Sequence, residues 1–105
     1  MYTVEQLTQI GGKYWQGGEK RRVYFNNLYE FAGVEEMEFY GTGSIKRAVR
    51  NGEVISNSAA RKLSMQLDTM DLWYDLNDGK FYFRSRYPEL AREIISKIKA
   101  RLNGN

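Results

Sequence analysis

The sequence predicts a single α+β domain over residues 1–105, in which an antiparallel sheet built from two β-hairpins packs against three to five helices. The first supporting observation is that two aromatic-rich strand pairs each flank a turn signal. The second is that apolar residues recur at helical spacing in several other segments. The third is size, because 105 residues, 42% of them hydrophobic, suffice for one core.

Local signals place each predicted element along the chain. Turn residues bound the hairpins, side chains that accept hydrogen bonds from backbone N–H groups begin the helices, and glycines end them. Thr3 and Gln6, for example, have the spacing of a capping box. The predicted elements are, in chain order, a helix over 4–10, a hairpin around Gly17–Lys20, a short helix over 28–32, a short strand at Met37–Tyr40, a helix from Ser44 to Arg50, a longer helix from Ser56 or Asn57 to Met70, a hairpin around Asn77–Lys80 and a final helix from Pro88 to Leu102.

The final helix carries the clearest core signal in the chain. Apolar residues recur every four positions along it, and this spacing places them on one face of a helix. We expect this stripe to dock on the sheet; it consists of Leu90, Ile94, Ile98 and Leu102. A proline at the start of the segment fits the first helical turn, where a backbone N–H would have no partner inside the helix.

The second hairpin is predicted to have one apolar face and one face that carries aromatic and charged side chains. With Asp78-Gly79 as a two-residue turn, Tyr74 lies opposite Phe83 and Trp73 lies opposite Arg84. Successive side chains on a strand point to opposite faces of the sheet. One face therefore belongs to the core, and the other carries Trp, Tyr and Arg side chains.

The first hairpin divides in the same way. Val23 and Phe25 share the apolar face, while a loop over Gly17–Lys20 places Trp15 on the opposite face. Trp, Tyr and Arg dominate binding hot spots, and aromatic side chains on a sheet can stack on bases. Two interpretations stay open: helices cover this second face and its arginines extend past the aromatic rims, or the face contacts a partner. Its candidate partner-binding residues are Trp15, Arg22, Tyr24, Trp73, Tyr82 and Arg84.

Charge is distributed in blocks, although the balance of 16 basic and 13 acidic residues gives a net charge of only +3. Residues 30–38 contain acidic and no basic side chains, and residues 44–62 are mainly basic. A run of aspartates follows before Gly79, and residues 84–101 are again mainly basic. The surface is therefore expected to be polarised.

A second candidate site is a basic surface on the segment from Ser44 to Arg84. Two helices joined by a turn and followed by a hairpin have the element order of a winged helix-turn-helix, a DNA-binding arrangement. The alternative is that these are solvated faces of core helices. The candidate nucleic-acid-binding residues are Arg61 and Lys62, which would face the DNA groove, and Arg47 and Arg50, which would face the DNA backbone.

The composition argues against the commonest catalytic and metal sites. The chain has no histidine and no cysteine, so the usual neutral-pH base and the preferred zinc ligands are missing. We expect no catalytic residues, no metal and no cofactor, although two-carboxylate hydrolase chemistry stays open. Met1–Glu5 lacks the basic start of a secretory signal, and no apolar run approaches a membrane span. A cytoplasmic protein is expected.

The hairpin segments resemble small uncharacterised phage and prophage proteins. The resemblance rests on Gly12–Trp15, Arg22–Asn26, Trp73–Asp75 and Gly79–Tyr82, about a quarter of the chain. It implies a mobile-element context, in which such proteins often bind host nucleoprotein machinery, including as anti-defence or anti-CRISPR inhibitors. It assigns no functional residues. The expected function is a non-enzymatic binding protein that contacts a host protein or nucleoprotein complex, with direct DNA or RNA binding as the alternative.

Overall fold

The computed structural model describes residues 1–104, which form four helices and seven strands. The helices are α1 (Val4–Gln9), α2 (Leu28–Phe31), α3 (Asn57–Asp68) and α4 (Pro88–Leu102). The strands are β1 (Gly12–Gly17), β2 (Lys20–Phe25), β3 (Val34–Phe39), β4 (Ile45–Arg50), β5 (Glu53–Ile55), β6 (Asp71–Asp75) and β7 (Lys80–Arg84).

The strands make two antiparallel sheets. The larger sheet has the order β1-β2-β6-β7, so the two predicted hairpins join into one surface through the pairing of β2 with β6. The smaller sheet has the order β3-β4-β5. The predicted α+β class is confirmed, whereas the single sheet of two hairpins accounts for only one of the two sheets.

The predicted helix from Ser44 to Arg50 is wrong, because this segment forms the central strand of the smaller sheet. Asn51 and Gly52, expected to stop a helix, connect two paired strands instead. Both have positive φ angles, 52° and 81°, as a tight hairpin turn requires. The short strand predicted at Met37–Tyr40 exists as β3, which begins three residues earlier. The winged helix-turn-helix order is therefore absent from this segment.

The pairing within the second hairpin differs from the prediction by two residues. Tyr74 lies opposite Phe81 and Trp73 lies opposite Tyr82, so the turn contains four residues and not two. The aspartate that ends β6 explains the longer turn, since its Oδ1 accepts hydrogen bonds from the backbone N–H groups of Asn77 and Asp78. A shift by an even number keeps every side chain on its predicted face. In the first hairpin Trp15 lies opposite Arg22 and thus on its predicted face, although Gly17 and Lys20, predicted to lie in the loop, pair with each other.

All four helices pack on the apolar face of the larger sheet. The main hydrophobic cluster combines sheet residues such as Val23 and Tyr74 with buried residues of every helix. In the predicted stripe of α4, Ile94 and Ile98 are fully buried, and its two end residues are partly buried against the same cluster. Helix α3 also contributes Ala60 to a second, small cluster with two residues of β4. The smaller sheet thus has a modest core of its own.

Two arginines of β4 differ in how strongly they tie the smaller sheet to the rest of the chain. The Nε of Arg50 donates to the carbonyl of Ala32 at the end of α2, at 2.8 Å, and its Nη2 contacts Glu93 of α4 at 2.9 Å. Arg47 makes one longer contact, 3.4 Å, with Glu36 on the neighbouring strand, and both side chains are about half exposed. The first arginine therefore links three elements, and the second contacts only one.

Replacing Arg50 with alanine is expected to lower the free energy of unfolding by about 1.5–3 kcal/mol, because it removes a charge-assisted bond to a carbonyl that ends a helix. The matched change Arg47→Ala is expected to cost less than about 0.5 kcal/mol, since exposed ion pairs contribute little. Urea unfolding of both variants measures the difference. Equal losses would show that Arg50 does not stabilise the smaller sheet through its contacts with α2 and α4.

Candidate binding face on the larger sheet

The six side chains predicted to share one face do so, on the side of the larger sheet that points away from the helices. We call this set the aromatic face; it consists of Trp15, Arg22, Tyr24, Trp73, Tyr82 and Arg84. Strand alternation and the observed pairing bring these residues together from all four strands. The main hydrophobic cluster, which all the helices join, lies on the opposite side.

Three aromatic rings form a row across three neighbouring strands. Tyr24 pairs with Trp73, which in turn pairs with Tyr82. The ring centroids are 5.6 Å apart in the first pair and 6.0 Å in the second, where the planes are inclined by only 18°. Lys13 of β1 lies opposite Tyr24 and extends the row to the fourth strand. The sheet thus presents a continuous aromatic surface with a cation at one end.

Arg22 lies between the two tryptophans of the face. Its guanidinium carbon is 4.7 Å from the ring centroid of Trp73 and 5.7 Å from that of Trp15. One Nη donates to the hydroxyl of Tyr24 at 2.8 Å, while Nε is enclosed and has no hydrogen-bond partner within residues 1–104. Cation–π contacts on both sides hold the guanidinium within the aromatic cluster. This arrangement fixes the arginine before any partner arrives.

The aromatic face is open. Trp15 is 42% exposed and Tyr82 is 38% exposed, and the other four members are partly buried or exposed. The helices bury their apolar residues on the far side of the sheet, so the interpretation in which helices cover this face is wrong. That the face binds a partner stays a prediction.

Of the three carboxylates on or beside the face, Asp71 lies opposite Arg84, whereas Asp75 and Asp78 are occupied by the turn; none forms an ion pair with the cations of the face within residues 1–104. Asp75 accepts from two turn N–H groups, as described above, and Asp78 accepts from the backbone N–H of Lys80 at 3.0 Å. Asp78 also accepts from the hydroxyl of Tyr82, and this hydrogen bond is the main reason why the pKa of that phenol is raised. The three ion pairs found within residues 1–104 all lie elsewhere.

Pairing adds three lysines that the sequence analysis missed. Lys13 and Lys20 lie two residues from members of the aromatic face on their own strands, and Lys80 lies opposite Asp75. Period-two alternation backwards from Trp15 and Arg22 would have found the first two. The same alternation backwards from Tyr82 would have found Lys80, because a shift of the pairing by two leaves it on the same face. We call these three residues the lysine rim.

The four residues predicted to bind nucleic acid are not brought together as expected. Arg47 and Arg50 lie on a strand and not on a backbone-contacting helix, and both are ion-paired. Arg61 and Lys62 are exposed on α3, as predicted. Helix α3 was expected to be the recognition helix of a helix-turn-helix and to present both residues to the groove. The segment predicted as the first helix of that motif is strand β4, so the docking geometry of a helix-turn-helix is missing.

A second group of exposed apolar side chains lies away from the aromatic face. Phe39 and Tyr40 at the end of β3 are each 54% exposed, and Met65 of α3 is 47% exposed. Phe39 and Met65 line the same shallow groove together with Ile45 and Arg61. Tyr29 of α2 reaches α3 nearby, where its hydroxyl donates to Asp68 at 2.8 Å, and burial is the main cause that raises the pKa of this hydroxyl.

Residues 1–104 contain neither a group of metal-binding side chains nor a membrane-spanning helix, and no match to the chain was found among known proteins. Within residues 1–104, no three side chains of the types His, Cys, Asp or Glu are grouped as a metal site would require. The same residues contain no helix of the length and apolar character needed to cross a membrane. Comparison with protein-family models, with curated proteins and with solved structures found nothing that matches this chain.

Proposed function

We propose that this chain is a small non-enzymatic binding protein, encoded by a phage or another mobile element, that acts by contact between its aromatic face and a host protein or nucleoprotein complex. The observation that supports the proposal is the open cluster of Trp, Tyr and Arg side chains on the larger sheet. These three residue types are the ones that most often carry binding energy at interfaces. Inhibition of a host defence complex, as in anti-CRISPR proteins, is one form that such contact would take.

The side chains of the aromatic face are held in place before binding, and this favours the face as the contact surface. Binding costs free energy when mobile side chains become ordered, so a surface that is already fixed binds at a lower cost. Arg22 is held between two rings and by a tyrosine hydroxyl, and Trp73 is stacked against Tyr82. These side chains lie on paired strands with buried residues beneath them, and not on a loop. The contact groups are therefore in place before binding.

The test is capture of a partner from a lysate of a candidate host with tagged protein, with and without nuclease treatment. A stoichiometric partner that is lost with the double variant Trp15→Ala, Tyr82→Ala is the expected result; retention of that partner after nuclease treatment identifies a contact with protein, and its loss identifies a contact through nucleic acid. Phe39→Ala is the matched control, because it removes an exposed aromatic side chain elsewhere on the surface.

Loss of the partner with the double variant is informative only if that variant is folded. Circular dichroism and thermal unfolding establish that the double variant is folded. Retention of the same partner by a folded double variant would show that the aromatic face is not the contact surface. Loss of the partner with Phe39→Ala alone would move the contact to the groove between β3 and α3.

A further inference from the structure

We infer that the aromatic face binds a single-stranded segment of nucleic acid, whose bases stack on the exposed aromatic rings and whose phosphates contact the lysine rim. The inference rests on the proposed function, because it takes the aromatic face to be the contact surface and identifies what that surface contacts. Three features of the face support it: the row of rings, the unpaired cations, and the flat open shape of the sheet.

The row of rings fits unstacked bases. The exposed rings of the face are Trp15 and Tyr82, and the rings of Tyr24 and Trp73 lie between them, with successive centroid separations of 6.0, 5.6 and 6.0 Å from Trp15 to Tyr82. Every base has a π-face, so stacking on aromatic side chains retains successive nucleotides without requiring one sequence. Four-stranded sheets that present two or three aromatic side chains on an open face are an established way of binding single-stranded RNA. The larger sheet here likewise has four strands and an open face that carries aromatic side chains.

The cations of the face are free to meet phosphates. Strand alternation places five basic side chains on this side of the sheet: the lysine rim, Arg22 and Arg84. Three carboxylates lie on or beside it, Asp71, Asp75 and Asp78, and none of them forms an ion pair with these cations within residues 1–104. Asp75 is instead occupied by the backbone of its own turn. The face therefore has an excess of positive charge, and its complement is an anionic partner.

The shape of the face selects single strands over duplexes. In a duplex the bases are stacked on one another and paired, so their planar faces cannot reach a flat sheet. Within residues 1–104 no helix projects from this side of the larger sheet to enter a groove, because the four helices bury their apolar residues on the other side. An acidic protein segment would satisfy the cations but would leave the row of rings without planar partners. A single strand uses both features.

The test measures fluorescence anisotropy of labelled oligothymidylate and oligouridylate of about 10 nucleotides, close to the site size of many single-strand binders. A duplex of the same length is the comparison. We expect binding of the single strands that weakens steeply between about 50 and 200 mM salt, since phosphate contacts release counterions. The duplex is expected to bind more weakly.

Two sets of variants separate stacking from charge. Tyr82→Leu and Trp15→Leu are expected to weaken single-strand binding about five- to a hundred-fold each, as the loss of one stacked base would. Lys80→Ala and Arg84→Ala, both exposed, are expected to reduce the slope of affinity against salt by about one phosphate contact each. Phe39→Leu is the matched control and is expected to change neither quantity. Thermal unfolding confirms that each variant is folded.

The outcomes distinguish this inference from the proposed function. Single-strand binding that is absent, indifferent to salt or unaffected by the aromatic variants overturns the inference. If lysate capture nevertheless depends on the aromatic face and is retained after nuclease treatment, the partner is a protein and the proposed function stands. If neither oligonucleotide binding nor lysate capture depends on the aromatic face, both proposals fail together.

Discussion

Replacing Ile98 with alanine is expected to lower the free energy of unfolding by about 2–5 kcal/mol. Ile98 is fully buried on α4 and belongs to the cluster that joins the helices to the apolar face of the larger sheet. The truncation removes apolar contacts and leaves a cavity, and buried neighbours such as Ile94 and Phe25 close it only in part. Urea unfolding monitored by circular dichroism measures the change, with the slope of the transition expected to stay the same.

Ser96 provides the control on the same helix. It is exposed, and its replacement by alanine is expected to change the unfolding free energy by less than about 0.5 kcal/mol. An Ile98→Ala variant as stable as the Ser96→Ala variant would contradict the docking of α4 on the sheet. Because Ile98 lies beneath the sheet and not on the aromatic face, the folded variant is also expected to keep the binding behaviour of the wild-type protein.

Replacing Gly33 with alanine is expected to cost about 1–3 kcal/mol from backbone strain, with a further loss from steric contact. Gly33 connects α2 to β3 and has a φ angle of 84°, where a residue with a Cβ is strained. The backbone cannot shift easily, because the N–H of Gly33 donates to Glu30 and its carbonyl accepts from the N–H of Asn51 at 2.8 Å. An added Cβ would lie only 2.0 Å from Oδ1 of Asn51. Thermal unfolding measures the loss.

Two further variants separate the sources of this loss. Gly18 also has a positive φ angle, 61°, but nothing lies within 4 Å of an added Cβ, so Gly18→Ala reports strain alone. In the double variant Gly33→Ala, Asn51→Gly, the steric contact is removed and only strain is expected to remain. Losses of equal size in all three variants would show that the Asn51 side chain moves aside freely. No loss in any of them would contradict the left-handed backbone at Gly33.

The larger sheet was predictable because its signals are local and mutually consistent. Each hairpin alternates apolar with Trp, Tyr or Arg side chains, and this alternation fixes the faces even where the pairing shifts by two. For this reason the six predicted members of the aromatic face do share one surface. What the sequence did not reveal is that β2 pairs with β6, since this contact joins residues about fifty positions apart and has no local signature.

The smaller sheet was missed for two physical reasons. Ser44, Lys46, Arg47 and Ala48 have good helix-capping or helix-forming tendencies, and pairing with two neighbouring strands overrides them. Irregularities in the pairing of β3 with β4, near Val34 and Phe39, also break the period of two that marks a strand. The useful signal was Asn51-Gly52, the dipeptide that most favours a two-residue hairpin turn. The same dipeptide also fits the end of a helix, and for that reason it was interpreted as a helix stop.

The basic surface was mispredicted as a consequence. Once the Ser44–Arg50 segment is a strand, its arginines have strand and helix neighbours within reach and form ion pairs with Glu36 and Glu93. The basic side chains of the aromatic face and the lysine rim, in contrast, form no ion pair within residues 1–104 and lie beside exposed aromatic side chains. Charge counted along the chain identifies basic segments, but only pairing shows which cations are already neutralised.

Both tryptophans of this chain lie on the aromatic face, flanking Arg22. The unlabelled protein therefore has an intrinsic optical reporter at one surface only. Intrinsic emission is expected to respond to a ligand that stacks there, and to remain unchanged when the smaller sheet, which contains no tryptophan, opens by itself. A single cuvette measurement at tryptophan-selective excitation thus distinguishes events at the aromatic face from events elsewhere in the molecule.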